Sequence, residues 1–282
     1  MPDTPPSIGA HPSRRFTPGD FPIDRLYELK GERRVSVCIP ARDEAATVGT
    51  VVAAVRALTG PPAPPLVDEV IVVDDGSRDE TAAVAVASGA TVIDNPGGGA
   101  GKGQAMRRAC EASKGDLLVF VDADVTNFGS HFVSGLLGPL LVDDCVKLVK
   151  AYYRRPLDGV PDGGGRVTEL VARPLIDLLF PELGGIAQPL AGETAAPRAV
   201  LEACGLADGY AVELALLIDV AERYGAGSVA QVDLGVRAHR NRPLAELRPQ
   251  ATDILRIALE RAGLRNLGSG ADWPGHLPLA PR

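Results

Sequence analysis

The stretch Asp116-Leu-Leu-Val-Phe-Val-Asp122-Ala-Asp124 determines how the rest of the chain is interpreted. Its short apolar run, with Val and Phe, predicts a strand that is buried on both faces of a sheet. Asp122 and Asp124 then fall at the carboxyl end of that strand, where open α/β sheets bind their ligands. Such carboxylates suit Mg²⁺ or Mn²⁺, which prefer oxygen ligands. Taken alone, the pair is equally typical of a strand that ends in a turn.

Two more predicted strands end in acidic residues. A strand over 34–40 runs into Pro40-Ala41-Arg-Asp-Glu44, and a strand over 68–74 runs into Asp75-Gly-Ser. Strands that alternate with helices in this way predict a Rossmann-like, mostly parallel sheet with helices on both faces. Because the strand ends share one edge of that sheet, a sugar-nucleotide site is expected there. The alternative is that each acid only caps a helix or closes a turn.

Two glycine loops are candidate phosphate sites. Gly101-Lys102-Gly103 is not a P-loop, because Pro96 and Gly103 replace the required Gly and Ser/Thr. A lysine at a helix start can still meet a phosphate, although this loop alone is more typical of solvated chain. The loop Asp162-Gly-Gly-Gly165-Arg166 opens a helix predicted over 167–180, with Thr168 in its first turn. Guanidinium, hydroxyl and backbone N–H groups together predict an anion site.

Two single residues complete the candidate site. His239 follows a strand-like run over 228–237 and lies among cations, which makes it a second anchor for a metal–diphosphate unit. A lone His is otherwise usually structural or merely exposed. Glu213 lies in an apolar helix predicted over 210–224. It is either a helix N-terminal acid or a group that orients or deprotonates an acceptor hydroxyl. Residues 182–193 are predicted to be irregular.

Composition limits the function classes. The 282 residues are 45% hydrophobic, which is ample for a core, and the net charge of −7 argues against a general nucleic-acid surface. No apolar run reaches the length of a membrane span, and the N-terminus lacks the order of a signal peptide, so a cytoplasmic protein is expected. The cysteines show neither close pairing nor zinc spacing and are predicted to be reduced core thiols. They are Cys38, Cys110, Cys145 and Cys204.

With these motifs in view, the chain resembles the glucosyl-3-phosphoglycerate synthases of glycosyltransferase family 81, which also includes mannosyl-3-phosphoglycerate synthases. The resemblance covers about residues 34–250 and is carried by 71–81, 101–103, 119–124, 149–157, 163–174, 188–193 and 235–244. It implies a GT-A fold and a retaining, homodimeric enzyme that depends on Mg²⁺ or Mn²⁺. The implied reaction moves glucose from a nucleotide sugar, usually UDP-glucose, to the 2-hydroxyl of 3-phosphoglycerate.

The resemblance also implies a role for each matching position. The metal ligands are Asp124 and His239, and Asp122 and Ala123 contact the donor. The uridine contacts are Pro40, Ala41, Glu44 and Asp75, and Lys102 meets the ribose or phosphate region. The phosphoglycerate contacts are Gly165, Arg166, Thr168 and Asn241. Glu213 matches the acid near the acceptor and the sugar, so the candidate catalytic residues are Asp122, Arg166 and Glu213.

The expected domain organisation is a flexible N-terminal arm (1–30), a nucleotide-sugar-binding half (31–126), an acceptor-binding and dimerisation half (127–265) and a C-terminal tail (266–282). Asp75 and Ala123 depart from the Ser that the family carries, so GDP-glucose or GDP-mannose remains an alternative donor. A nucleotidyltransferase is disfavoured, because no glycine-rich nucleotide loop follows the first strand. A lipid-phosphate glycosyltransferase lacks a visible membrane anchor. A catalytically inactive sugar-nucleotide binder is the non-enzyme alternative.

Overall fold

The computed structural model describes residues 14–61, 65–96, 98–99, 101–156, 164–238 and 244–264. Within them, one eight-stranded sheet has the order β1-β8-β6-β7-β5-β2-β3-β4. The strands are β1 Arg14–Phe16, β2 Val35–Ala41, β3 Glu69–Asp74, β4 Thr91–Asp94, β5 Leu117–Phe120, β6 Leu148–Arg154, β7 Thr194–Pro197 and β8 Val229–Val236. The helices are α1 Ile23–Lys30, α2 Val48–Arg56, α3 Thr81–Ala87, α4 Lys102–Ala112, α5 Ser130–Val142, α6 Arg173–Leu179, α7 Arg198–Cys204, α8 Val212–Tyr224 and α9 Leu244–Arg261.

The prediction of a mostly parallel sheet with helices on both faces is confirmed. One apolar core lies between the sheet and α2 and α5, with Phe132 and Leu136 fully buried in it. A second core lies on the other face, where Met106 of α4 and Leu217 of α8 are fully buried. Burial on both faces explains why β2, β3 and β5 are apolar almost throughout instead of alternating.

β7, like the edge strand β1, is a strand of the described sheet that the sequence analysis missed. It pairs antiparallel with both β5 and β6, and it directly follows the stretch 182–193 that was predicted to be irregular. Its Thr-Ala-Ala-Pro sequence is short and has low β propensity, so no local pattern marks it. The two flanking strands define it, and they place Glu193 directly in front of its first residue.

Residues 14–30 depart from the predicted flexible arm. β1 pairs in parallel with the edge strand β8, and Phe16 and Phe21 stack with ring centroids 5.3 Å apart. Phe21 is only 7% exposed and lies against Gly138 of α5, where a Cβ atom would enter its ring. The many Pro and polar residues of the arm suggest mobility, but burial of the Phe21 ring packs residues 14–30 against the rest of the protein.

The helix predicted over 167–180 forms with an irregular start. Thr168–Ala172 is a π-helical segment that runs directly into α6. Arg173 N donates to Thr168 O, an i→i−5 bond that widens the turn just before Pro174. Pro174 follows directly and has no N–H group with which to donate an α-helical bond to Leu170 O. π-helical turns occur frequently at functional sites, and this one begins at the predicted acceptor residue Thr168.

The positions of the strand ends follow from register. Val35–Cys38 of β2 pair with β5, whereas Pro40 lies beyond that pairing and is matched only to Val73 of β3. A proline, which has no backbone N–H group, is tolerated there because no strand in the described sheet forms hydrogen bonds with β2 on its β5 side at this position. The ends of β2, β3 and β5 therefore open onto one edge of the sheet.

Three further predictions have mixed outcomes. Cys38 is buried, but Cys145 is exposed and is not a core thiol. Of the helices in the described ranges, none combines the length and apolarity that crossing a membrane requires. The two predicted halves share one sheet, because β7 pairs with β5, and the division of labour between them remains a prediction.

Candidate active site

A cleft opens at the carboxyl edge of the sheet and gathers the predicted residues from distant parts of the chain. The predicted site residues that line it are Pro40, Ala41, Glu44, Asp75, Lys102, Asp122, Ala123, Asp124, Gly165, Arg166, Thr168 and Glu213. The predicted metal ligand His239 and acceptor residue Asn241 lie outside the described residues. The chain on both sides of them borders the cleft, through Arg237 and Leu247.

Arg237 connects the two acids of the strand end. Its Nη2 atom donates to Asp122 Oδ2 at 2.7 Å and to Asp124 Oδ1 at 2.8 Å. Burial by itself raises the pKa of Asp122, but the charges of Lys102 and Arg237 outweigh it and hold that pKa well below its usual range. Burial raises the pKa of Asp124, which Arg237 opposes and the nearby negative charge of Asp122 reinforces.

A buried carboxylate holds Arg237 from behind. Glu193, which is 0% exposed, accepts from Arg237 Nε at 2.8 Å and from the Tyr153 hydroxyl at 2.6 Å. The Arg237 guanidinium also lies over the Tyr153 ring, 5.5 Å from its centroid. Both oxygens of Glu193 are therefore used. Arg237 is contacted at Nε, at Nη2 and by the Tyr153 ring, so its guanidinium is fixed in the position where it meets the acidic pair.

Lys102 lies between the acidic pair and Glu213. Its Nζ forms an ion pair with Asp122 and another with Glu213 Oε1, the latter at 2.8 Å. Burial lowers the pKa of Lys102, but the two carboxylates outweigh it and the pKa rises above the ordinary value. Gly192 lies directly against this group, because a Cβ atom there would collide with Lys102 Nζ and the Asp122 carboxylate. The lysine therefore stays charged and has a fixed position.

Asp75 organises the loop beside the predicted donor site. It is 6% exposed, and its Oδ1 accepts from Asn95 Nδ2 at 2.6 Å and from Gly99 N at 3.0 Å. Gly99 has a φ of +78°, and a Cβ atom there would lie 2.7 Å from Arg42 Nη1. The glycine is needed at this position for both its backbone conformation and its lack of a side chain.

The residues of the predicted anion site lie at the start of the π-helical segment. Gly165 has a φ of +77°, and its carbonyl accepts from Glu169 N at 3.0 Å, which closes the first turn. Arg166 follows directly, and the buried Thr168 is only 3% exposed. All three residues line the same cleft as Asp122 and Glu213, so a cationic helix start faces the acidic strand end across one cavity.

The comparisons with known proteins agree with this geometry. The Glycosyl transferase family 2 model matches residues 36–160. The glucosyl-3-phosphoglycerate synthase of Mycolicibacterium paratuberculosis is 45% identical over 282 residues, covering 95% of this chain and 84% of that protein. The chain belongs to the glucosyl-3-phosphoglycerate synthase family.

Solved structures of this family superpose closely on the chain, which has their GT-A fold. The Mycobacterium tuberculosis enzyme with Mn²⁺, UDP and glucosyl-3-phosphoglycerate is 44% identical with a TM-score of 0.83, covering 92% of this chain and 91% of that one. The same enzyme with Mn²⁺, UDP-glucose and glycerol 3-phosphate is 43% identical with a TM-score of 0.82, covering 93% and 92%.

The metal that the family implies fits the chemistry of the acidic pair. Asp122 and Asp124 present carboxylate oxygens at one strand end, which is the ligand type that Mg²⁺ and Mn²⁺ prefer. Their side chains remain 22% and 28% exposed to the cleft. Within the described ranges no three His, Cys, Asp or Glu side chains form a metal-binding group. Completing the coordination therefore needs the predicted His239, water or substrate oxygens.

Sequence reasoning missed several residues of the site. Arg155, Gly192, Tyr210 and Arg237 line the cleft, and Glu193 and Tyr153 support it from beneath. The stretches 149–157, 188–193 and 235–244 carry the family resemblance and contain all of these except Tyr210. Their roles depend on contacts between those stretches, so no single stretch reveals them.

Proposed function

We propose that this chain is a glucosyl-3-phosphoglycerate synthase, which transfers glucose from UDP-glucose to the 2-hydroxyl of 3-phosphoglycerate with retention of anomeric configuration. The main support is that one cleft holds both the acidic strand end, with Asp122 and Asp124, and the cationic helix start, with Arg166 and Thr168. The first suits a metal-bound diphosphate and the second suits a phosphorylated acceptor. The bound molecules named for the M. tuberculosis relative agree with this assignment.

On the donor side, the uridine is assigned to Pro40, Ala41, Glu44 and Asp75, and Asp122 with Ala123 lies beside the sugar nucleotide. Asp124 and His239 would hold Mg²⁺ or Mn²⁺, which would supply positive charge for the departing diphosphate. Lys102 is already charged and fixed in position by Asp122 and Glu213. It stabilises the negative charge that develops on the leaving group without reorganisation.

On the acceptor side, Gly165, Arg166, Thr168 and Asn241 hold the phosphate and so set the acceptor hydroxyl beside the anomeric carbon. The bond from the anomeric carbon to the diphosphate oxygen breaks, and a bond from the acceptor O2 forms on the same face. The hydroxyl proton passes to the departing phosphate oxygen. Glu213, held in its ion pair with Lys102, accepts a hydrogen bond from the sugar or the acceptor.

The second candidate is a mannosyl-3-phosphoglycerate synthase that uses GDP-mannose. Asp75 favours keeping this alternative, because it lines the cleft directly after β3 and departs from the family pattern. UDP-glucose ranks first because the relatives that match most of the chain are glucosyl enzymes. Transfer of the nucleotide itself ranks below both candidates.

The deciding experiment mixes the purified protein with 3-phosphoglycerate and Mn²⁺ or Mg²⁺, with UDP-glucose, GDP-glucose or GDP-mannose in separate tubes. Mass spectrometry is expected to detect hexosyl-phosphoglycerate with UDP-glucose and none after the metal is removed with EDTA. Product from GDP-mannose alone would establish the second candidate. Release of pyrophosphate instead of a nucleoside diphosphate would mean nucleotidyl transfer.

Asp124→Asn tests the metal assignment directly. It is expected to weaken Mn²⁺ binding, measured by electron paramagnetic resonance, by at least about tenfold. The matched control is Asp144→Asn, because Asp144 is exposed and is not among the residues that line the cleft. Equal Mn²⁺ affinity in both variants would remove Asp124 from the metal site.

We further propose that the enzyme acts in the cytoplasm as a homodimer. A reduced cysteine set without disulfides supports the location. Leu170 and Leu178, which are 74% and 79% exposed near the acceptor site, support an apolar contact between copies. Light scattering after gel filtration is expected to give twice the chain mass of 29.4 kDa. A monomer mass would contradict the dimer.

A further inference from the structure

Arg155 follows β6 immediately and faces two connected spaces. It lines the main cleft together with Asp122 and Arg166. It also lines a side recess with Tyr153, Gly164, Gly165, Thr168, Glu169 and Gln188. Since Arg155, Gly165 and Thr168 border both spaces, the recess is an extension of the cleft on its acceptor side.

Two buried polar atoms at this recess have no hydrogen-bond partner among the described residues. They are Arg155 Nε and Gln188 Oε1. The amide nitrogen of Gln188 is used, since it donates to Tyr153 O at 2.5 Å. A buried donor left without an acceptor costs free energy, so an unpaired guanidinium atom at a substrate cleft indicates a partner that arrives with the ligand.

Arg155 is held in place by its neighbours, and no acid within the described part of the chain forms an ion pair with it. Its Nη2 donates to the Tyr153 hydroxyl at 3.0 Å, and its guanidinium lies 4.9 Å from the centroid of that ring. Gly164 packs against its stem, where a Cβ atom would lie 2.6 Å from Arg155 Cβ. The acid of the recess, Glu169, instead forms a 3.5 Å pair with Arg173. The positive charge of Arg155 thus remains available to a ligand.

Three other cationic side chains of the cleft have contacts on the side that is assigned to the donor. Lys102 and Arg237 contact Asp122, and Arg42 lies against Gly99. Phosphoglycerate carries two anionic groups, a phosphate and a carboxylate, and each needs a cationic partner to leave water. Arg166 with Thr168 provides for the phosphate, and Arg155 lies next to them.

We propose that Arg155 binds the carboxylate of the acceptor, and that it is the residue by which the enzyme distinguishes phosphoglycerate from phosphorylated alcohols that lack this group. This inference rests on the proposed function. A carboxylate oxygen accepts from Arg155 Nε and Nη atoms, and a hydration water of that carboxylate donates to Gln188 Oε1. The pairing places the 2-hydroxyl, which lies between the two anionic groups, toward the donor sugar.

The test compares 3-phosphoglycerate with glycerol 3-phosphate, which has the phosphate and lacks the carboxylate. Isothermal titration in the presence of UDP and Mn²⁺ measures both affinities for the wild type, Arg155→Gln, Arg155→Lys and Arg154→Gln. Arg154 is the matched control, since it is the adjacent residue and its side chain is exposed. Thermal unfolding of each variant establishes that it is folded.

The wild type is expected to prefer 3-phosphoglycerate. Arg155→Gln should weaken 3-phosphoglycerate binding about 30-fold, the effect of losing a charge-assisted hydrogen bond, and glycerol 3-phosphate binding less than about threefold. Arg155→Lys keeps the positive charge and should retain part of the preference for 3-phosphoglycerate. If Arg155→Gln does not fold, the affinities of Arg155→Lys for the two ligands test the proposal instead. Arg154→Gln should retain all of it.

Equal losses for both ligands would overturn the proposal and assign Arg155 to the phosphate or to the leaving group. A wild type without preference would overturn it as well. These outcomes differ from failure of the proposed function, in which the wild type forms no hexosyl-phosphoglycerate from any donor. Binding ratios and product formation are measured separately, so each hypothesis has its own decisive result.

Discussion

Glu193 and Arg237 form an ion pair beneath the acidic strand end, with Glu193 Oε1 2.8 Å from Arg237 Nε. Glu193 is fully buried, and Arg237 also donates hydrogen bonds to Asp122 and Asp124. The orientation of the residues assigned to donor and metal thus depends on a carboxylate that does not line the cleft. Supporting residues of this kind determine how accurately contacting groups are placed.

Glu193→Gln is expected to lower kcat/KM by about tenfold to 100-fold while the protein remains folded. The amide keeps the shape of the side chain but loses the charge that fixes Arg237. Steady-state kinetics measures the change, and Glu202→Gln is the control, because Glu202 is 64% exposed and only 3.9 Å from Arg198 in a surface pair. Unchanged kinetics in Glu193→Gln would show that the other contacts of Arg237 suffice.

Gly192→Ala is expected to reduce transferase activity at least about 100-fold, because its methyl group would enter the space of Lys102 Nζ and the Asp122 carboxylate. Displacing Lys102 should raise the KM for the donor as well as lower kcat. Gly227→Ala is the control, since no atom lies within 4 Å of a Cβ built there. If both variants kept wild-type activity, a fixed Lys102 would not be required.

Lys150→Met tests a buried amine beneath the cleft. Burial lowers the pKa of Lys150 from 10.5 to about 8, and its Nζ donates to Ala191 O at 2.5 Å. Because the folded state releases this proton first, the stability contribution of Lys150 is greatest above the ordinary lysine pKa and is lost as pH falls through about 8.

The wild type should therefore gain about 2 kcal/mol of unfolding free energy relative to Lys150→Met between a pH of about 8 and about 10. Urea unfolding at several pH values measures the difference. Thiol titration is expected to affect both proteins equally, since the substitution leaves all four cysteines in place. A difference that stays constant with pH would contradict a lowered Lys150 pKa.

Phe21→Ala is expected to destabilise the protein by about 3 kcal/mol, because Phe21 is buried against Gly138 and Phe16. Ile23→Ala, at a side chain that is 39% exposed, should cost less than about 0.5 kcal/mol. Chemical denaturation compares them. A similar small effect for both variants would indicate that residues 14–30 behave as the flexible arm that their composition predicts.

The sequence predicted the parts of the molecule that depend on neighbours along the chain. Apolar runs of four to seven residues defined β2, β3 and β5, and the residue types that follow each run located the cleft edge. The glycines before Arg166 predicted an anion site, and the residues of that prediction line the same cleft as Asp122. Local periodicity and turn chemistry carry this information, so it is available without the fold.

Only the tertiary structure decided the remaining features. β7 is a strand because β5 and β6 pair with its two sides, and Arg237 meets Asp124 across 113 positions of sequence. Neither the docking of Phe21 nor the unpaired Nε of Arg155 has a local signature. The physical reason is that burial and ion pairing depend on which surfaces come together, whereas propensity depends on the residue and its immediate neighbours. The sequence thus determined the sheet, its acidic edge and the residue types at the site, and the fold determined which charges face one another there.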